Sequence, residues 1–119
     1  MALSILASLV LATGPAAAAD VAFVELAAGQ NDAAIQRIEA NDALAASDPA
    51  RLINLGVAHA REGRTDQARD LFRAAVRART SFELETAAGT WVDSRDLARA
   101  ALAMLDAGAF QGGAVLAAR

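Results

Sequence analysis

The chain reads as an all-α protein: about two helix-turn-helix repeats, then a short β-hairpin and a C-terminal capping helix. Three observations predict this. Residues 48–61 and 65–79 carry apolar side chains at helical spacing on either side of Gly63. A weaker copy of the same unit lies about 34 residues earlier. Between Ser81 and Ser94 the helical rhythm gives way to alternation, in SFELETAAGTWVDS, with the sole Trp near its end.

The unit at 48–79 is the clearest. Asp48-Pro49 is a helix start, with the Asp side chain accepting from free backbone N–H groups and Pro at the first helical position, where its missing N–H costs nothing. The helix then runs to about Arg61. Its apolar positions Leu52, Ile53, Leu55, Val57 and Ala60 exceed one stripe, so burial on two sides is expected. Gly63 supplies the left-handed residue that ends it. Thr65 is expected to cap the next helix, with Asp66 in the first turn where the helix dipole favours an anion. That second helix has Ala68, Leu71, Phe72, Ala75 and Val76 on one face. Opposite lie Arg69, Arg73 and Arg77 beside Asp66 and Asp70, the pattern of a solvated face with local ion pairs.

Leu52-x2-Leu55-Gly56-x2-His59, followed by Ala68-x3-Phe72 and Ala75, resembles the tetratricopeptide repeat (TPR), with Leu in the Trp slot and His in the Tyr slot. The spacing has a mechanical reason. Gly56 and Ala68 are small where two helices cross closely, and Leu55 and Phe72 fill the space beside the crossing. One repeat period earlier, Gly29, Asp32, Ala34 and Ile38 stand where Gly63, Asp66, Ala68 and Phe72 stand later. The first unit is VAFVELAAGQNDAAIQRIEAN: a short helix from about Val21 and a second from about Asp32, capped by Asn31. Repeat 1 thus covers about 21–46 and repeat 2 about 48–79.

In the stretch 81–93, Phe82, Leu84 and Thr86 alternate with Glu83 and Glu85, and Thr90-Trp91-Val92 has high strand propensity. The reading is a hairpin turning at Gly89. Asp93 or Ser94 then caps a helix over 94–107 whose Leu97, Ala98, Ala101, Leu102 and Leu105 share one face. Asp96-Leu97-Ala98-Arg99 echoes Asp66-Gln67-Ala68-Arg69, so the hairpin takes the place of a helix and closes the array, which must end in a unit that stops stacking. Residues 108–119 contain Gly112-Gly113 and little periodicity, and are expected to be disordered.

Residues 1–19 have an apolar run, a Gly14-Pro15 break and Ala17-Ala18-Ala19 before Asp20. This is the layout of a secretory signal peptide cut after Ala19. The apolar run is shorter than the roughly 20 residues a bilayer span needs, and no lipobox cysteine or twin arginine precedes the cut. The expectation is a soluble periplasmic product of 20–107 plus its tail, with no membrane insertion after cleavage. The signal segment, the repeats and the FELETAAGTWVDSR hairpin together resemble small exported TPR proteins of Alphaproteobacteria, of sphingomonad type, a group to which the resemblance attaches no activity.

The 119-residue chain has a net charge of −3 and no Cys. The charge argues against nucleic acid as a partner, and the missing thiols exclude disulfides and cysteine metal sites. His59 is the only histidine, so no histidine cluster can hold a metal; it stands where a TPR packs an aromatic. No Ser has a base in a catalytic pattern, no phosphate loop follows a strand, and Glu83 with Glu85 reads as the wet face of a hairpin more than as an acid–base pair. Neither catalytic residues, a metal nor a cofactor is expected.

What remains is a surface for a protein or peptide partner. The TPR resemblance maps inner-groove slots onto Ile53, Asn54, Val57, Ala60 and Arg61, where apolar contact and two polar groups would orient a bound segment. The same residues would instead be core if the short first repeat covers them. Trp91 likewise has two readings, a plug in the core beneath the hairpin or an exposed binding anchor. The competing class is a structural protein, a homodimer joined through the incomplete flank of repeat 1.

Overall fold

The computed structural model describes residues 21–112; the expected signal segment and the tail from residue 113 lie outside the described residues. The protein is mostly helical, with one small antiparallel sheet. In chain order the elements are α1 (Phe23–Ala27), α2 (Asn31–Glu39), α3 (Pro49–Arg61), α4 (Thr65–Arg77), β1 (Glu83–Glu85), β2 (Trp91–Asp93), α5 (Ser94–Asp106) and a 3₁₀ turn (Ala109–Gly112).

Helix α3 is the centre of the molecule. It packs against α1, α2, α4, α5 and the 3₁₀ turn, and Leu52, Ile53, Leu55, Val57, Ala58 and Ala60 are all buried. Its start is as expected, with Asp48 accepting from the Arg51 backbone N–H at 3.0 Å. The close crossing is also present, though its tightest contact is with an aromatic ring rather than with Ala68. A Cβ added to Gly56 would lie 2.4 Å from Cε1 of Phe72. Phe72 occupies the volume that any larger residue at 56 would need.

The turns after α1 and α3 are built alike. Gly29 and Gly63 have φ of 76° and 79°. Gly29 N–H donates to Leu26 O at 3.1 Å and Gln30 N–H to Glu25 O at 2.8 Å; Gly63 N–H donates to Ala60 O at 3.1 Å and Arg64 N–H to His59 O at 2.9 Å. Both are the paired backbone bonds with which a left-handed glycine closes a helix. The same turns correct two expected caps. Gln30 and Arg64 hold the N-cap positions without side-chain bonds, and their carbonyls each accept from the residue four on, Ala34 and Ala68, at 3.0 Å. Asn31 and Thr65 are therefore already inside the helix. Freed from capping, Asn31 donates through Nδ2 to Glu62 Oε2 at 2.8 Å and accepts from Arg61 at 3.4 Å, tying α2 to the end of α3.

The hairpin pairs Glu83 with Asp93, Leu84 with Val92 and Glu85 with Trp91. Gly89 turns it at φ 82°, and Thr86 N–H donates to Thr90 O at 2.8 Å. Two reciprocal bonds then fasten it to α5: Ser94 N–H donates to Phe82 O at 2.8 Å and Phe82 N–H donates to Ser94 Oγ at 3.1 Å. Asp93, one of the two expected caps of α5, accepts from the N–H groups of Arg95 and Asp96. Arg95 in turn reaches back and donates to Ala78 O at 2.8 Å and Arg79 O at 3.0 Å, satisfying carbonyls at the end of α4.

Two further expectations are revised. The pairing of Arg69 is not local: its guanidinium meets Asp106 at the end of α5 at 2.6 Å, because the packing of α5 on α4 brings that carboxylate closer than Asp66 or Asp70. The segment from 108 begins with structure. Ala109–Gly112 forms a 3₁₀ turn that puts Phe110 in the core at 3% exposure, its ring stacked on Phe72 with centroids 6.0 Å apart.

Candidate interaction surface

The residues expected to line an inner groove lie beneath the first helical unit. Ile53, Asn54, Val57 and Ala60 have no exposure, and Arg61 is half-buried. The chain entering α1 covers them. Asn54 Nδ2 donates to Val21 O at 2.9 Å and Arg61 donates to Leu26 O at 2.7 Å, so the polar pair expected to orient a ligand instead fixes the protein's own backbone. A buried amide must find partners inside the fold, and the first unit supplies them. The expectation of an open groove at these five positions is corrected to a filled one. Ala22, held just before α1 at φ 61°, is in the left-handed region at a cost of about 1 kcal/mol; burial of Val21 and Ala22 against α3 offsets it.

His59 takes a packing position. It is half-buried, and its Nδ1 accepts from Arg64 Nε at 2.8 Å. Burial chiefly, and then the Arg64 charge, lower its pKa from the usual 6.5, against weaker upward pulls from Glu39 and Asp32.

Trp91 is 65% exposed, so it is not a plug for the core. Leu84, buried, and Val92, half-buried, do that work on the inner face of the sheet. Pairing opposite Glu85 places Trp91 on the outer face with Glu83 and Glu85. Phe82, just before β1, is 48% exposed.

Phe82 also lines a cleft of about 670 Å³ that sequence reasoning missed. Asp48 and Pro49 at the start of α3, Ala74 and Arg77 on the last turns of α4, and Arg79 just beyond it line it as well. Two chain segments far apart in sequence, 45–49 and 74–82, meet there, so periodicity could not reveal it. The one available signal was Arg77-Ala78-Arg79 shortly before an aromatic.

Among the described residues no group of His, Asp or Glu side chains could hold a metal ion, and no helix is long and apolar enough to cross a membrane. Comparison with protein-family models, curated proteins and solved structures finds no match to this chain.

Proposed function

We propose that this is an exported, TPR-like protein–protein interaction module of the periplasm, and that it meets its partner with the hairpin end of the molecule rather than with an inner groove. The observation that carries the reading is the exposure of Trp91 and Phe82 (65% and 48%) on a hairpin fastened to α5 by the two Ser94–Phe82 bonds. Large aromatics on a fixed support provide contact area at little entropic cost, and interface anchors are enriched in such residues. The TPR resemblance is supported by the recurrence of one turn geometry at Gly29 and Gly63 and by the small residue at 56 under Phe72.

The test is a photo-crosslinking amino acid placed at Trp91 or Phe82 in the native periplasm. A discrete adduct at either position and none at exposed Gln67, on the outer side of α4, is the expected result. Equal labelling at all three positions, or none at any, would remove the reading.

A second reading, self-association through the first helical unit, is favoured by Val24, which is 73% exposed on α1. A light-scattering concentration series decides between the two. A monomer throughout supports the interaction module, whereas a constant dimer that Val24→Glu dissolves supports the homodimer.

A further inference from the structure

We infer that the cleft beside Phe82 receives an acidic peptide segment, with a carboxylate at Arg77 and Arg79 and an apolar side chain against Phe82 and Pro49; this rests on the interaction reading and specifies the ligand of its Phe82 side.

The first support is the distribution of unspent positive charge. Most arginines of the described chain are engaged. Arg37, Arg64, Arg69 and Arg99 meet Glu25, Asp32, Asp106 and Asp96. Arg51, Arg61 and Arg95 donate to backbone carbonyls. Arg77 and Arg79, both exposed and both lining the cleft, have neither kind of side-chain partner, and the only other arginine in that condition among the described residues, Arg73, sits one turn before Arg77 on α4. In a protein of net charge −3, free cations gathered at one place define a local field of opposite sign to the whole.

The cleft contains a single carboxylate, Asp48, and one of its oxygens already accepts the Arg51 N–H. The carbonyls at the end of α4, which would otherwise repel an anion, are covered by the Arg95 guanidinium. The electrostatic balance at this place therefore favours an acidic visitor.

Size and lining select a peptide over a simple anion or a nucleic acid. A volume of about 670 Å³ is far larger than an inorganic anion needs. Half of the lining residues are Ala, Pro or Phe82, which reward an apolar side chain and give a lone anion nothing. A polyphosphate backbone would pass from two or three cations onto a negatively charged protein. An Asp- or Glu-containing segment with one apolar residue satisfies both halves of the cleft.

Selection of a random peptide library on the purified protein tests this. The expected outcome is enrichment of peptides with Asp or Glu near an apolar residue, binding that falls at least about tenfold in Arg77→Glu/Arg79→Glu and weakens with salt, and little change in Trp91→Ala. Both arginines are exposed, and an unchanged helical circular dichroism spectrum of the double variant secures the comparison. Enrichment of basic or uncharged peptides overturns the acidic ligand while leaving the interaction reading in place. Displacement of every enriched peptide by low-millimolar inorganic phosphate, regardless of sequence, overturns it in favour of an anion site. No enrichment at all, together with no crosslink at Phe82 or Trp91, overturns both.

Discussion

At the scale of single residues, the crossing of α3 and α4 rests on one missing side chain. Gly56→Ala places a methyl carbon 2.4 Å from the Phe72 ring, and Phe72 is fully buried with Phe110 stacked on it. Overpacking of this kind costs roughly 1–3 kcal/mol, readable as a lower midpoint in urea unfolding. Gly56→Ala combined with Phe72→Leu should cost less than the sum of the single changes, since the two positions share one space. His59 provides a pH test. Its folded pKa is below the usual 6.5, so the unfolded chain binds the proton more readily. Its contribution to stability is complete above that value and is lost as pH falls through it. His59→Gln should flatten the stability profile as pH falls below about 6.5, and a profile identical to wild type would show that another group is responsible.

At the scale of elements, the hairpin and α5 form one unit through Asp93 and Ser94. Slight burial pushes the Asp93 carboxyl up, but the Arg95 and Asp96 N–H groups, the Ser81 side chain and the Arg95 charge outweigh it and hold the pKa below 3.8. The cap's contribution is therefore present above that pH and lost as acid carries the solution down through the lowered pKa. Asp93→Ala should lower the thermal midpoint at pH 7 and change it progressively less as acid carries the solution down through the lowered pKa, where the wild-type cap is itself lost. The 3₁₀ turn is a second joint. Phe110→Ala removes a core ring 3% exposed and should cost about 3–5 kcal/mol, an effect expected of an integral element and not of a tail. Trp91→Ala, by contrast, should shift stability by no more than about 0.5 kcal/mol, so any loss of partner binding in that variant is attributable to contact.

At the scale of the molecule, the division between what the chain announces and what the fold decides follows the range of the interactions involved. The starts of α3 and α5 and the stop of α3 were legible because each is fixed within a turn or two: Asp48 bonds three residues on, Gly63 closes α3 by its own φ, and Asp93 caps the helix that begins beside it. The hairpin was legible from alternation and Gly89 for the same reason. Asn31 and Thr65 were misread because they suit a cap chemically, while the backbone of the preceding turn had already assigned that place to Gln30 and Arg64. The candidate site was hardly legible. Whether Ile53 and Val57 line a groove or fill a core depends on where α1 lies, and that position is set by Asn54 and Arg61 grasping backbone more than thirty residues away. The partner of Arg69, the seat of Phe110 and the cleft at Phe82 are decisions of the same kind. By itself the sequence determined the helices, several of their ends and the hairpin, since local propensity and hydrogen bonding act between near neighbours along the chain. Tertiary structure alone decided which faces are covered and which arginines keep a free charge, because burial and long-range pairing exist only once distant segments have been brought together.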